Sequence, residues 1–286
     1  MAQNVISLRR RRVCRILSQC FLIFVLALIT VAVLYPLLFV VITSFKNYGQ
    51  VLADPFGISF DHPENYINAW IQGKFGAYFL NSIIVVVCGV AAQVFFTAII
   101  SFAIGVLRYK GSSVVMFALM STMFLTGEII SIPLYVLFYN LGLLRSLWAI
   151  ILPAMFGAPG MGALLASNYI RKIPNELHEA SLLDGANFLQ MFFRIDLPMM
   201  RPILTFVAIQ VFTGTWSDFF WPFITVYGNP SAYTLPLGLI AFQSQNSAQF
   251  GVLSAGLCII TLPIVIFYCF FSKYFLEGAA AGAVKG

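Results

Sequence analysis

The chain has 286 residues, of which 60% are hydrophobic and only 9% are charged. Soluble domains carry about 25% charged residues, so this composition excludes a soluble globular protein. The formal net charge of +6 would by itself suit an anionic partner, but the basic residues lie at the ends of long apolar blocks, where they orient a membrane protein. We therefore expect a membrane protein with no nucleic-acid partner.

Six apolar blocks are long enough to cross a bilayer, which requires about 20 apolar residues per helix. A basic arm, residues 1–19, precedes the first block. This start resembles a signal peptide or a twin-arginine signal, but the apolar run is too long and no small-residue cleavage pattern follows, so we expect a retained anchor. The predicted spans are Cys20–Ile42, Tyr78–Val106, Ser113–Tyr139, Leu147–Tyr169, Met200–Ile224 and Gly251–Phe271.

The Lys and Arg residues predict the side of the membrane that each connection occupies. Thirteen of the 16 lie in the N-terminal arm, between the second and third spans, in residues 171–201 and in the C-terminal tail. Positively charged connections stay in the cytoplasm, so both termini and residues 171–201 are expected inside. The even number of spans agrees with this topology.

Two connections on the predicted outer side are long. Residues 44–77 contain the turn-forming runs Asp54–Gly57 and Asp61–Pro63, which predict a small ordered cap. Residues 226–250 carry no charged side chain and are rich in Asn, Gln, Ser and Tyr. This second segment suits the docking of a polar protein or the passage of a neutral polar ligand, and equally an inert connection.

Residues 171–198, on the predicted inner side, have the pattern of two short helices. Pro174 fits a first helical turn, and Glu176 and Glu179 place negative charge near the helix N-terminus. The spacing i, i+3, i+4 and i+7 puts four small or apolar groups on one narrow face: Leu177, Ala180, Ser181 and Asp184.

Gly185 supplies the left-handed residue that ends such a helix. A second helix is expected from Ala186 to Pro198, beside which the next span begins. Taken alone, these features are equally typical of an amphipathic connector that lies on the membrane surface.

The residues of this segment resemble the EAA loop of ABC importer permeases, which reads Glu-Ala-Ala, then Asp-Gly-Ala, then Ile-x-Leu-Pro. Here the three parts are Glu179-Ala180-Ser181, Asp184-Gly185-Ala186 and Ile195-Asp196-Leu197-Pro198, with Ser in place of the second Ala. Shorter matches over nearly the whole chain resemble the carbohydrate branch, in particular its maltose-type second permease: Asn81-Ser82, Ile132–Tyr135, Leu141–Leu143, Trp216–Phe219 and residues 281–286.

This resemblance implies an all-α, polytopic transmembrane bundle of about six spans in the bacterial inner membrane, with residues 1–286 forming one transmembrane domain. Residues 171–198 are then the coupling helix that fits a cleft on a separate ATPase. The residues implied in that contact are Glu179, Ala180, Ser181, Asp184, Gly185 and Ala186.

The implied function is that of a permease subunit forming half of a sugar pathway, without enzymatic activity of its own. The implied partners are a second permease subunit in a heterodimer, two ATP-binding subunits, an extracellular solute-binding protein and membrane lipid. ATP and Mg are expected on the partner ATPase and no cofactor on this chain, because Gly73-Lys74 lacks the context of a phosphate loop. Whether the solute is a sugar, a polyol or glycerol phosphate stays open.

Four polar or aromatic residues are candidates for the solute pathway. Glu128 and Asp218 are the acids expected within spans, and a carboxylate in lipid costs about 3 kcal/mol unless it faces water or a partner. Trp216 is placed to stack on a sugar ring, and Asn81 opens the second span. A structural hydrogen bond between helices is the alternative role for Asp218.

Two other functions are compatible with the composition. An ion-coupled secondary transporter would work without an ATPase, although the two halves of the chain show no convincing symmetry. A membrane-embedded enzyme would need a nucleophile with a base, or a metal cluster, and neither pattern is visible. His62 and His178 lie far apart in sequence, each without a second ligand at metal-binding spacing, so no metal site is expected.

Overall fold

The computed structural model describes the backbone of residues 2–107, 109–125, 127–157, 160–245 and 249–283, and no β-strand occurs in that part of the chain. Its helices are α1 (Ala2–Thr43), α2 (Tyr48–Ala53), α3 (Glu64–Gln72), α4 (Phe75–Phe102), α5 (Ser112–Ser121), α6 (Gly127–Asn140), α7 (Trp148–Phe156), α8 (Gly160–Ile170), α9 (Asn175–Leu183), α10 (Phe188–Met191), α11 (Leu197–Met199), α12 (Arg201–Ser217), α13 (Phe220–Val226), α14 (Leu235–Gln245) and α15 (Phe250–Ala283).

Within the described residues, four stretches are long and apolar enough to cross a membrane: Ser18–Thr43, Phe75–Leu107, Trp148–Ile170 and Phe250–Phe271. Two bent pairs raise the number to six if each is counted as one span. Ser112–Phe124 and Gly127–Asn140 meet at 101°, and Phe188–Met199 and Arg201–Ser217 meet at 74°. The predicted helical membrane bundle is confirmed. Its predicted third span is bent, and the second bend lies at the start of the predicted fifth span, where the span follows the loop.

The predicted fifth span, Met200–Ile224, breaks at Asp218. The helix α12 ends at Ser217, and Asp218 adopts an extended conformation with φ −67° and ψ 117°. The carboxylate Oδ1 of Asp218 accepts a hydrogen bond from the backbone N–H of Trp221 at 3.2 Å. This bond satisfies a free donor in the first turn of α13, so a local hydrogen bond marks the break in a predominantly apolar segment.

By its contacts the chain forms two compact units, Met1–Ala69 with Asn246–Cys258 and Trp70–Gln245 with Ile259–Gly286. In the smaller unit, α2 and the start of α3 form the ordered segment that the turn residues predict. Its buried Lys46 donates from Nζ to the carbonyls of Asp54 at 2.8 Å and Pro55 at 3.1 Å. Hydrogen bonds from Ser59 and Gln50 lower the pKa of the exposed Asp61, so this carboxylate stays ionised and holds the turn.

In the larger unit, α4 packs against α7, α8 and α12. Small residues allow these helices to approach closely. A Cβ added at Gly89 of α4 would lie 3.1 Å from both the Cβ and the carbonyl oxygen of Ala154 in α7. The close packing fixes the two features described next, a loop at one end of this unit and a cavity between its helices.

Candidate coupling loop and transport cavity

The helix α9 presents the predicted contact residues on a short, well-defined element. Pro174 immediately precedes its first residue, Asn175, and Glu176 lies in its first turn. Glu179 and Ala180 are exposed, and Leu177 is 43% exposed. These residues form an accessible face of α9.

The end of α9 is fixed by Gly185, which has φ +80° as predicted. The N–H of Gly185 donates to the carbonyl of Leu182 at 3.1 Å, and the N–H of Ala186 donates to the carbonyl of Ser181 at 2.9 Å. This pair of bonds is the Schellman motif, in which a left-handed residue lets two later N–H groups satisfy carbonyls in the last turn. Asp184 is the exposed C-cap residue.

The second helix of the loop begins at Phe188, two residues later than predicted. Asn187 caps it through a reciprocal pair of hydrogen bonds with Gln190, each 2.9 Å long. The helix continues through a π-helical turn at Phe192–Asp196 into α11, which contains Pro198. The loop is therefore a helix–turn–helix with a cap on each side of the turn.

Ser181 differs from its predicted role in the docking face. Its side chain is buried, and its hydroxyl donates to the carbonyl of His178 at 2.8 Å. Ser181 therefore faces the interior of the loop, while the neighbouring Ala180 faces solvent. Leu177, Ala180 and Asp184 remain on the accessible side.

A buried pair, His178 and Asp196, joins the two helices of the loop. The Nε2 atom of His178 lies 2.8 Å from Oδ1 of Asp196, whose side chain is fully buried. The second carboxylate oxygen, Oδ2, has no hydrogen-bond partner in the described residues. Sequence analysis missed this pair because a separation of 18 positions gives no periodic relation, although two titratable groups in one short loop are a usable indication.

An apolar cluster fastens the loop to the membrane helices. It contains buried residues of the loop, of α4, α8 and α12, and of the short connections between them: Ala98, Phe102, Ala166, Ile170, Ile173, Met191, Phe192, Met200, Ile203 and Leu204. The rings of Phe102 and Phe192 lie 5.3 Å apart between centroids. Interiors packed in this way have low compressibility and transmit strain, so the loop and these helices are mechanically connected.

A cavity of about 1190 Å³ lies between α4, α6, α7, α8, α12 and α13. Most of its wall is apolar, with a few polar groups between the apolar ones, which is the usual composition of a solute site. Two predicted pathway residues, Glu128 and Asp218, line it. Glu128 is exposed at the start of α6, and Asp218 is half-buried at the break between α12 and α13.

The structure gives the other two pathway candidates packing roles. Trp216 is only 2% exposed, its indole N–H donates to the carbonyl of Ile260 at 3.1 Å, and its ring stacks on Phe212. No ring face is left for a sugar. Asn81 donates to the carbonyls of Ser231 at 2.9 Å and Tyr233 at 3.0 Å, which ties α4 to the segment before α14.

Several cavity residues were missed by sequence analysis. Gln93 and Gln210 line the cavity from α4 and α12, and Trp221 lines it from α13. The side-chain amide of Gln93 donates to the carbonyl of Ala154 at 2.7 Å, which leaves its oxygen available. Lone amides in long apolar helices mark polar pathways, so these glutamines were identifiable from the sequence.

A helical chain with several membrane-spanning segments, a cavity between its helices and a capped loop packed against them has the features of the membrane component of a transporter. A family model described as "Binding-protein-dependent transport system inner membrane component" matches residues 93–275. The chain belongs to this family, and it is a permease subunit of an ABC importer. This membership does not favour the ion-coupled secondary transporter.

Individual relatives agree with the family. The chain is 36% identical over 263 residues to the probable ABC transporter permease protein YurM of Bacillus subtilis strain 168, covering 91% of this chain and 87% of the relative. It is 30% identical to the diacetylchitobiose uptake system permease protein NgcG of Streptomyces coelicolor, with the same coverage of 91% and 87%.

A solved structure shares the fold. It is a bacterial ABC transporter involved in the import of the acidic polysaccharide alginate, and the TM-score is 0.74 at 22% identity. The match covers 88% of this chain and 94% of that chain. At this identity the likeness concerns the arrangement of helices alone.

Proposed function

We propose that this permease forms half of the pathway by which an ATP-driven importer carries a sugar or oligosaccharide across the bacterial inner membrane. Relatives named for oligosaccharide uptake support the solute class. They include NgcG, and the arabinooligosaccharide permease AraQ of Halalkalibacterium halodurans at 29% identity over 91% of this chain and 94% of the relative. A second permease subunit supplies the other half, and an extracellular solute-binding protein delivers the solute.

Residues 171–198 couple the pathway to two ATPase subunits, which bind ATP and Mg and perform the hydrolysis. The observation that carries this proposal is the combination of an exposed α9 with a loop whose other side is packed into the membrane helices through Met191 and Phe192. A partner that moves α9 therefore moves α4, α8 and α12 as well. Those three helices all line the cavity.

The exposed loop surface includes several large apolar side chains, which favour burial against a protein cleft. Leu183 is 89% exposed, Leu189 68% and Phe188 57%. Full burial of one such side chain contributes about 1.5–3 kcal/mol. Glu179 adds a charged contact to this surface, and this contact both orients the partner and contributes to its affinity.

The test is binding of the detergent-solubilised permease complex to its ATPase, together with ATP-driven uptake in vesicles. Leu183→Ser should weaken ATPase binding at least tenfold and abolish uptake, while the variant still inserts. Leu141→Ser is the matched control, because Leu141 is 59% exposed and lies outside the loop. Equal ATPase affinity in both variants would contradict docking through this surface.

The proposal also fixes a topology. Reporters fused after Gln50 or within residues 226–250 should lie outside, and reporters within residues 171–201 should lie inside. A fusion after Lys285, beyond the described residues, should also lie inside, because both termini are proposed to be cytoplasmic. An outside position for residues 171–201 would separate the loop from any cytoplasmic ATPase and end the coupling proposal.

A further inference from the structure

The lining of the cavity carries charge of one sign. Glu128 and Asp218 both contribute to its wall, and none of the described lining residues is Lys, Arg or His. Clefts lined by one sign of charge within low-dielectric walls concentrate ions of the opposite sign and exclude ions of the same sign. The two carboxylates therefore produce a negative potential in the space that the proposed solute must cross.

A second feature of the cavity points to a hydroxylated solute. The lining includes the threonines Thr97, Thr122 and Thr215, whose side chains are polar but uncharged. The free oxygen of Gln93 and the amide of Gln210 add neutral donors and acceptors to the same wall.

Asp218 lies at the break between α12 and α13, where one of its carboxylate oxygens accepts the N–H of Trp221. Gln210 and Gly214, four residues apart, lie on one face of α12, and Asp218 follows at the end of the helix, four residues after Gly214. Each of these three residues lines the cavity.

We infer that this cavity admits uncharged or positively charged sugars and rejects sugars that carry carboxylate groups. The inference rests on the proposed function for the statement that the solute is a sugar, and the charge selectivity concerns the half of the pathway that this chain lines. Neutral oligosaccharides and amino sugars fit the lining, whereas a uronic acid polymer would meet two carboxylates with no lining cation to pair with its own.

The test uses a single cysteine at Gly214 in a chain whose five native cysteines are replaced by serine. Gly214 is exposed within α12, and an added Cβ there meets nothing within 4 Å, so Gly214→Cys fits without displacing a neighbour. The rate of thiol modification is measured in the purified complex with two methanethiosulfonates of similar size, one with a trimethylammonium group and one with a sulfonate group.

The ratio of the cationic reagent's rate to the anionic reagent's rate should be about tenfold higher at position 214 than on a free thiol in solution. Combining Glu128→Gln with Asp218→Asn should return the ratio to the free-thiol value. Asn keeps the oxygen that caps α13, so the charge is removed without removing the hydrogen bond. Glu176→Gln, which neutralises an exposed acid outside the cavity, should leave the ratio unchanged.

An unchanged ratio after neutralising Glu128 and Asp218 would overturn the inference, as would a cysteine at position 214 that neither reagent reaches in the complex. The labelling needs no transport. If the complex does not import sugar but shows the raised cationic-to-anionic labelling ratio, the proposed function is refuted and the charge selectivity of the cavity is kept. If the complex imports neutral oligosaccharide but shows only the free-thiol ratio, the charge selectivity alone is refuted.

Discussion

Replacement of Gly185 by valine tests whether the shape of the loop governs its contact with the ATPase. Gly185 has φ +80°, and an added Cβ meets nothing within 4 Å. The cost of the substitution is therefore conformational and does not come from a clash. A residue with a Cβ in the left-handed region pays about 1–2 kcal/mol, and a β-branched residue lies at the upper end.

The chain can avoid this strain by leaving the left-handed conformation, but it then loses the two hydrogen bonds of the Schellman motif. Each is worth about 0.5–1.5 kcal/mol, so the cost is again about 2 kcal/mol. Every 1.4 kcal/mol is a factor of ten. If the ATPase binds only the natively ended helix, its affinity should fall about 30-fold.

The assay is titration of solubilised Gly185→Val permease complex with its ATPase, followed by ATP-driven uptake in vesicles. Gly185→Asn should retain most of the affinity, because Asn tolerates the left-handed region. Gly142→Val is the matched control: Gly142 has φ +67° and open space around it, but it lies outside the loop. Affinity that falls equally in the Gly142 and Gly185 variants, or in neither, would refute the reasoning.

Three further predictions concern single side chains. Glu179→Lys should lower the affinity for the ATPase by about 2–5 kcal/mol if the contact is desolvated, while membrane insertion stays normal. Unchanged affinity in the titration would show that Glu179 is not part of the contact. Asp196→Ala should leave His178 buried without its partner and destabilise the loop by about 3 kcal/mol, measured as faster proteolysis within residues 171–198; wild-type protection would show that the pair contributes little. Asp218→Ala should lower both thermal stability and uptake, because the hydrogen bond from the N–H of Trp221 is lost. Asp218→Asn should keep the thermal stability, and equal melting temperatures for the two variants would contradict the capping role.

The parts of the loop that follow from the sequence are those governed by neighbouring residues. Gly185 was predicted to be left-handed because many helices end with a left-handed residue directly after the C-cap, and glycine adopts that conformation most readily. Pro174 and Glu176 likewise locate the start of α9 within a residue. The docking roles assigned to Glu179 and Ala180 stay predictions, although both are exposed as such roles require.

The parts that the sequence did not reveal depend on contacts between distant segments. The burial of Trp216 follows from a hydrogen bond to Ile260, 44 residues away, and the pairing of His178 with Asp196 needs the two loop helices to fold back on each other. The break at Asp218 was hidden for a different reason. Hydropathy averages over a window, and one polar residue that caps the next helix hardly changes that average.

The length of α4 has a mechanical consequence. With its π-helical extension it runs without a break over the 33 residues Phe75–Leu107, and at about 1.5 Å per residue it is about 50 Å long, against about 30 Å of hydrocarbon. It therefore tilts or projects beyond the lipid at the end where Phe102 meets Phe192. Such a helix behaves as a lever, because a rotation of about 5° about its midpoint displaces each end by about 2 Å in opposite directions. A displacement of about 2 Å at the loop end thus moves the opposite end of the helix, on the other side of the membrane, by a similar distance.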